Sequence, residues 1–116
     1  MTPYVLVVDD DQAFRGLAAR VLAALGIGDI VEADSFAAAI EAAERLKPVA
    51  ALVDVGLPDG DGVELAARLI ASPWSPRVVL TSSDLSAAAR AGATPFLPKD
   101  RLADDALRLM LAGREE

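Results

Sequence analysis

The stretch VLVVDDD, residues 5–11, sets four apolar residues against three consecutive acids. An apolar residue at every position suits a strand covered on both faces. The acids have no comparable folding reason. Adjacent carboxylates repel one another, so Asp9, Asp10 and Asp11 together imply a positive partner that the stretch does not contain.

Further along the chain, short apolar runs alternate with helical patterns. Residues 4–8, 30–33, 49–53, 78–81 and 96–97 read as strands, and the first, third and fourth are almost wholly apolar. Phe14, Leu17, Ala18, Val21, Leu22 and Leu25 recur at helical spacing, with Asp11 as N-cap and Gly26 as stop. Phe36, Ala39, Ile40 and Ala43 repeat the pattern after Ser35, and Val63, Ala66, Leu69 and Ile70 form a third stripe. A short fourth helix is expected over 83–91, closed by Gly92, and a fifth over 102–112, closed by Gly113. Five βα units with short connections predict an α/β fold, a parallel five-stranded sheet with helices on both faces. One domain over residues 1–116 is expected, since no linker or low-complexity tract interrupts the pattern.

Composition narrows the function classes. Eleven basic residues against 18 acidic ones give a net charge of −7, which disfavours direct nucleic-acid binding. The chain has no cysteine and no histidine, so thiolate chemistry, histidine triads and the commonest zinc ligands are absent. No apolar run reaches the roughly 18–20 residues that span a bilayer, and no leader-like segment opens the chain, so a cytoplasmic location is the expectation.

In an open parallel sheet, ligands bind beyond the carboxyl ends of the strands. Asp9, Asp10 and Asp11 follow the first strand and Asp54 ends the third. Thr81, Ser82 and Ser83 end the fourth, and Lys99 follows the fifth. Carboxylates, a hydroxyl and one ammonium are thereby expected in a single crevice. A hard divalent cation, Mg²⁺, suits such an oxygen-rich set. Asp54, from the central strand, is placed to act as a nucleophile that forms an aspartyl phosphate, with Lys99 and Thr81 holding phosphoryl oxygens.

At these residues the chain resembles the response-regulator receiver domains of bacterial two-component signalling over essentially its full length. The pieces that carry the resemblance are VVDDD (7–11), LVDVGLPDGDG (52–62), VVLTSSD (78–84) and AGATPFLPK (91–99), in order among five βα units. The resemblance implies a flavodoxin-like doubly wound fold with strand order 2-1-3-4-5. It makes Asp54 the phosphoacceptor, Asp10 a direct metal ligand, Asp9 an acid that holds the metal through water, and the backbone carbonyl of Gly56 a further ligand. Thr81 is then the switch hydroxyl, Phe96 the switch aromatic and Lys99 the phosphate-pairing lysine. The implied donor is a histidine kinase or histidine phosphotransfer protein, from which the receiver catalyses transfer to itself. A homodimer or output domain is implied at the fourth helix, fifth strand and fifth helix. The rival reading is a receiver-fold interaction or dimerisation module that works without phosphorylation.

Other motifs fit less well. PDGDG (58–62) has proline at a ligand position of an EF-hand loop and lacks the distal glutamate, so it reads as a turn. Gly56 stands where a D-x-D phosphatase needs its second acid, and no P-loop occurs. The Lys99–Asp100 step, the short Thr81–Lys99 segment and the small Gly56 and Ser83 depart from the resembled pattern. Lys99 is followed by Asp100, not proline. Pro95 and Pro98 point to a short edge strand, with pairing after Pro95 and Pro98 turned outward. The segment from Thr81 to Lys99 is short, leaving little more than two helical turns. Gly56 and Ser83, both small, should leave an acyl phosphate open to water, so no unusually long-lived phosphoryl state is expected. In the fifth helix, Leu102, Ala106, Leu109 and Met110 form one stripe, and Ala103, Leu107 and Leu111 a second roughly 100° away. One stripe covers the sheet, and the other either meets a partner or packs on the neighbouring helix.

Overall fold

Alternation along the strands builds the molecule. The computed structural model describes residues 3–102. Five strands, β1 (Tyr4–Val8), β2 (Asp29–Ala33), β3 (Ala50–Asp54), β6 (Arg77–Ser82) and β7 (Phe96–Pro98), form one sheet in the order β2-β1-β3-β6-β7. Every pairing in it is parallel. Counted along the sheet-forming strands, this is the expected 2-1-3-4-5 order. A separate two-residue hairpin, β4 (Gly56–Leu57) with β5 (Gly60–Asp61), realises the PDGDG turn.

Successive side chains point to opposite faces, and two cores result. Val5, Val7, Ala50, Leu52, Val79 and Leu97 pack with Ala18 and Leu22 of α1 (Gln12–Leu25). Leu6, Val8, Ala51, Val53, Val78 and Leu80 pack on the other face with α2 (Phe36–Leu46) and α3 (Gly62–Ile70). Leu6, Leu22, Leu52, Leu65, Leu69 and Leu80 are wholly enclosed, and truncating one to alanine costs about 2–5 kcal/mol.

The helix ends follow from short polar residues. The Asp11 carboxylate accepts from the N–H groups of Ala13 and Phe14, and Gly26 closes α1 at φ 71°. Ser35 Oγ accepts from the Ala38 N–H. Asp59, from the hairpin, adds a cap that spacing did not suggest: its two oxygens accept from Phe36 N–H at 2.7 Å and Ala37 N–H at 3.1 Å. Asp61 caps α3 through the Val63 N–H at 2.9 Å.

Several expectations shift. The buried face of α3 is Gly62, Leu65, Ala66 and Leu69, while Ile70 and, on α1, Leu17 face solvent. The fourth helix is a 3-10 helix, Leu85–Arg90, begun by Asp84. A six-residue segment closed by Gly92 at φ 60° leaves no length for the two α-turns expected. It anchors only Ala87 and, just beyond it, Ala91 in the core. β7 is three residues long and lies at the sheet edge, as the prolines required. Pro95 enters the ladder through its carbonyl, which accepts from the Leu80 N–H at 2.8 Å. The fifth helix, except its first residue Leu102, lies outside the described residues, as do both of its stripes. No helix among the described residues is long and apolar enough to cross a membrane.

Candidate functional site

The alternation that sorts the cores also collects the site. Val5 and Val7 face the α1 layer, and the next residue in that rhythm is Asp9. Ala50 and Leu52 lead in the same way to Asp54, Val79 to Thr81, and Leu97 to Lys99. Asp54 and Thr81 are register partners in adjacent strands, so their side chains leave the sheet together. The crossover order 2-1-3 opens its crevice where β1 and β3 part company with their connections, above these residues.

The groups that converge are buried and short of positive charge. Asp9 is 0% exposed, Asp54 8% and Thr81 2%, while Asp10 stands at the rim. Carboxylate oxygens of Asp9, Asp10 and Asp54 lie within 4.8 Å of one another. Lys99 Nζ sits 2.8 Å from Asp9 Oδ2 and 3.7 Å from Asp54 Oδ2. Burial, and then the charge of Asp9, push the Asp54 carboxyl up from 3.8 to about 6, against the opposing pull of Lys99 and the Gly56 N–H. Burial works against the Lys99 ammonium too, but its close contact with Asp9 and the charge of Asp54 hold its pKa above the ordinary lysine value. Lys99 reaches the site although Asp100 follows it, and Asp100 itself is exposed.

The donor set fits a hard divalent cation. Three carboxylates share one ammonium, and Asp9 Oδ2, although buried beside that ammonium, accepts no hydrogen bond of regular geometry. Asp9 Oδ1 is taken by the Asp11 N–H at 2.9 Å. Oxygen ligands with no nitrogen or sulfur among them suit Mg²⁺ or Ca²⁺.

Other expected residues fall nearby or apart. Gly56 begins the hairpin just after Asp54 and is exposed. Ser82, Ser83, Leu85, Pro98, Lys99 and Asp100 line a cleft beside the acids. Phe96 has the opposite alternation: it pairs with Leu80 and packs on the α2–α3 core, off the acidic side. Trp74 precedes β6, at the end of the sheet away from the acids, so its fluorescence is poorly placed to report metal directly.

Three supporting residues escaped the sequence reading. Arg15 donates from Nη1 to the Asp9 carbonyl at 2.7 Å and from Nε to Glu32 at 3.0 Å, bracing the ends of β1 and β2. It stands four residues after Asp11 on α1, a weak signal because surface arginines are common. Gly62 lies against the Asp54 backbone, where an added Cβ would stand 1.9 Å from the Asp54 carbonyl oxygen. Its place in a Gly-rich turn masked this packing role. Phe14 reads as a core residue, yet its ring centroid lies 4.6 Å from Lys99 Nζ.

Comparison with known proteins agrees with this architecture. The response regulator receiver domain family matches residues 5–112. The KDP operon transcriptional regulatory protein KdpE of Escherichia coli (strain K12) is 38% identical over 101 residues, 82% of this chain and 44% of that protein. The chain thus spans less than half the length of that relative. A crystal structure of a response regulator protein from Burkholderia pseudomallei, with a phosphorylated aspartic acid, calcium ion and citrate, superposes with a TM-score of 0.77. It is 25% identical, and the match covers 94% of this chain and 66% of that one. A CheY-like response regulator receiver domain protein from Methanospirillum hungatei JF-1 shares the fold at a TM-score of 0.76 and 20% identity, over 95% of this chain and 94% of that one. With the family match spanning both cores and all four converging strand ends, the chain belongs to the receiver domains of two-component response regulators.

Proposed function

We propose that the domain is a phosphoacceptor switch in which Asp54 takes a phosphoryl group from a histidine kinase or histidine phosphotransfer protein in the cytoplasm. The observation that carries this reading is the convergence of Asp9, Asp10 and Asp54 with the Lys99 ammonium at one strand edge. An Asp54 carboxylate oxygen attacks phosphorus and forms the acyl-phosphate O–P bond. The P–N bond of the donor phosphohistidine breaks, its electron pair stays on the imidazole, and that nitrogen is reprotonated. Mg²⁺, held by Asp9, Asp10, Asp54 and the Gly56 carbonyl, supplies positive charge for the phosphoryl oxygens when bound. Lys99 pairs with one of those oxygens and the Thr81 hydroxyl donates to another. An Asp54 pKa near 6 leaves the nucleophile mostly ionised at neutral pH.

Phe96 is the proposed switch aromatic, turning as Thr81 moves toward the phosphoryl group. The surface so altered consists of the 3-10 segment Leu85–Arg90, β7 and the chain that follows, where an output domain or second copy docks. No membrane or nucleic-acid contact is part of the reading. Gly56 and Ser83 are exposed and offer no bulky screen, so the phosphoryl group should hydrolyse without unusual delay.

The test is incubation with acetyl phosphate and Mg²⁺, followed by intact mass. Wild type should gain one phosphoryl group, and Asp54→Asn none. A half-life of many hours with Mg²⁺ present would count against the unscreened site. The reduced fourth unit favours one second reading, a docking module that works without phosphorylation. Absence of both mass gain and Mg²⁺ binding by calorimetry would support it.

A further inference from the structure

Lys99 is held differently from the acids it meets. Asp9 and Asp54 extend from β1 and β3, which lie inside the sheet and are paired on both sides. Lys99 follows a three-residue edge strand and opens a 3-10 turn whose start has no side-chain cap. Its place therefore rests on what its ammonium touches: Asp9 at 2.8 Å, Asp54 at 3.7 Å, and the ring of Phe14 with its centroid at 4.6 Å. The first two are claimed by other chemistry in the proposed function. Asp9 and Asp54 are metal ligands there, and Asp54 also becomes an acyl phosphate. The Phe14 ring is the one of the three that no ligand of the site competes for. It is fixed in the first turn of α1, which the Asp11 carboxylate caps, and it packs against the α1-side core. A cation within about 6 Å of a ring centroid is attracted by the negative π face.

We infer that Phe14 is a positioning residue for Lys99, its ring face keeping the ammonium at the site when Asp9 and Asp54 are engaged by metal and phosphoryl group. This rests on the phosphoacceptor reading for its role in transfer, but the contact itself can be read without it. The ring supplies from the side what the short edge strand does not supply through the backbone. It also gives the first helix a direct hold on a group delivered by the opposite end of the chain.

The chain has two lysines, Lys47 and Lys99, which makes the test clean. Lysine labelled with ¹³C at the ε position gives two signals. The Lys99 signal should carry an upfield ring-current shift in both the metal-free and the Mg²⁺-loaded protein. Phe14→Leu should abolish that shift and leave Lys47, near Trp74 at 6.0 Å, unmoved as an internal reference. Phosphorylation by acetyl phosphate should slow by about threefold to tenfold in Phe14→Leu, with Phe14→Tyr restoring most of the rate. Phenylalanines of increasing fluorination placed at position 14 keep the size and drain the ring face, so the rate should fall in step. A Lys99 signal that ignores Phe14→Leu overturns the contact. Equal rates across the fluorinated series overturn positioning and leave packing alone. A wild type that shows the shift but takes no phosphoryl group overturns the role in transfer and the phosphoacceptor reading together, with the contact intact.

Discussion

β3 and β7 each deliver one residue to the site, yet they hold it in different ways. β3 is buried at all five positions and paired on both sides, so Asp54 is fixed by the sheet. β7 has three residues, one paired neighbour and beside it the 3-10 segment, in which Leu85 is 65% exposed. Lys99 is fixed instead by side-chain contacts with Asp9, Asp54 and Phe14. The proposed nucleophile is thus built on a buried strand held from both sides, and its cationic partner just beyond a strand held from one. An enclosed strand cannot move without breaking two ladders and a core. An edge strand beside a short 3-10 turn can move at small cost, as a surface that responds to phosphorylation must.

The sharpest way to break this contrast is Gly62→Ala. The added Cβ would stand 1.9 Å from the Asp54 carbonyl oxygen, and backbone cannot yield as a flexible side chain can. The expected loss is about 3 kcal/mol or more in urea unfolding, with the Mg²⁺ affinity falling alongside. Unchanged stability would mean that the end of β3 is as adjustable as β7.

Next in size is Asp54→Asn. The native carboxyl has a raised pKa, so the folded state binds the proton more tightly than the unfolded one. Its favourable contribution is complete below about 3.8 and is lost as pH rises through about 6. Metal-free wild type should therefore lose stability between about pH 4 and about pH 6.5, and the asparagine variant should flatten that slope. At pH 7.5 the variant should be the more stable, by on the order of 1–2 kcal/mol. Added Mg²⁺ should narrow the gap. Asp59 runs the other way: its capping bonds to Phe36 and Ala37 hold its pKa down, so its contribution disappears only as pH falls below the ordinary carboxylate range.

The smallest effect separates the hairpin from the fourth unit. Asp61 caps α3 and also pairs with Arg90 of the 3-10 segment. Asp61→Ala should cost about 1 kcal/mol through the lost cap. Arg90→Ala, which removes an exposed pair only, should cost less than that in thermal melts. Equal losses would mean that the 3-10 segment is tied to the body through this pair, and that the movable side is less free than the contrast holds.

Much of this could be read before any coordinates. Short, almost wholly apolar runs located five strands to within a residue, and the residues that end or follow those runs include Asp9, Asp54, Thr81 and Lys99. That signal is strong because strands covered on both faces leave their polar residues to the strand ends. What stayed hidden depends on where segments meet in space. The Asp59 carboxylate reaches a helix N-terminus more than 20 residues away. Gly62 looked like turn chemistry and is there for contact with Asp54. Phe14 counted as core, since a hydrophobic stripe cannot show that its ring also faces a lysine from the far end of the sheet. The fourth unit was misjudged as a short α-helix because a short run of alanines and serines favours neither helix type decisively.

Borohydride trapping decides whether Asp54 is the nucleophile of this edge. After acetyl phosphate and Mg²⁺, reduction converts an aspartyl phosphate to homoserine, which peptide sequencing by mass locates. Wild type should yield homoserine at position 54, and none should form in Asp54→Asn or with the metal chelated. Homoserine at another acid, or none at all in protein that binds Mg²⁺ and gains phosphoryl mass, would contradict Asp54 as the nucleophile.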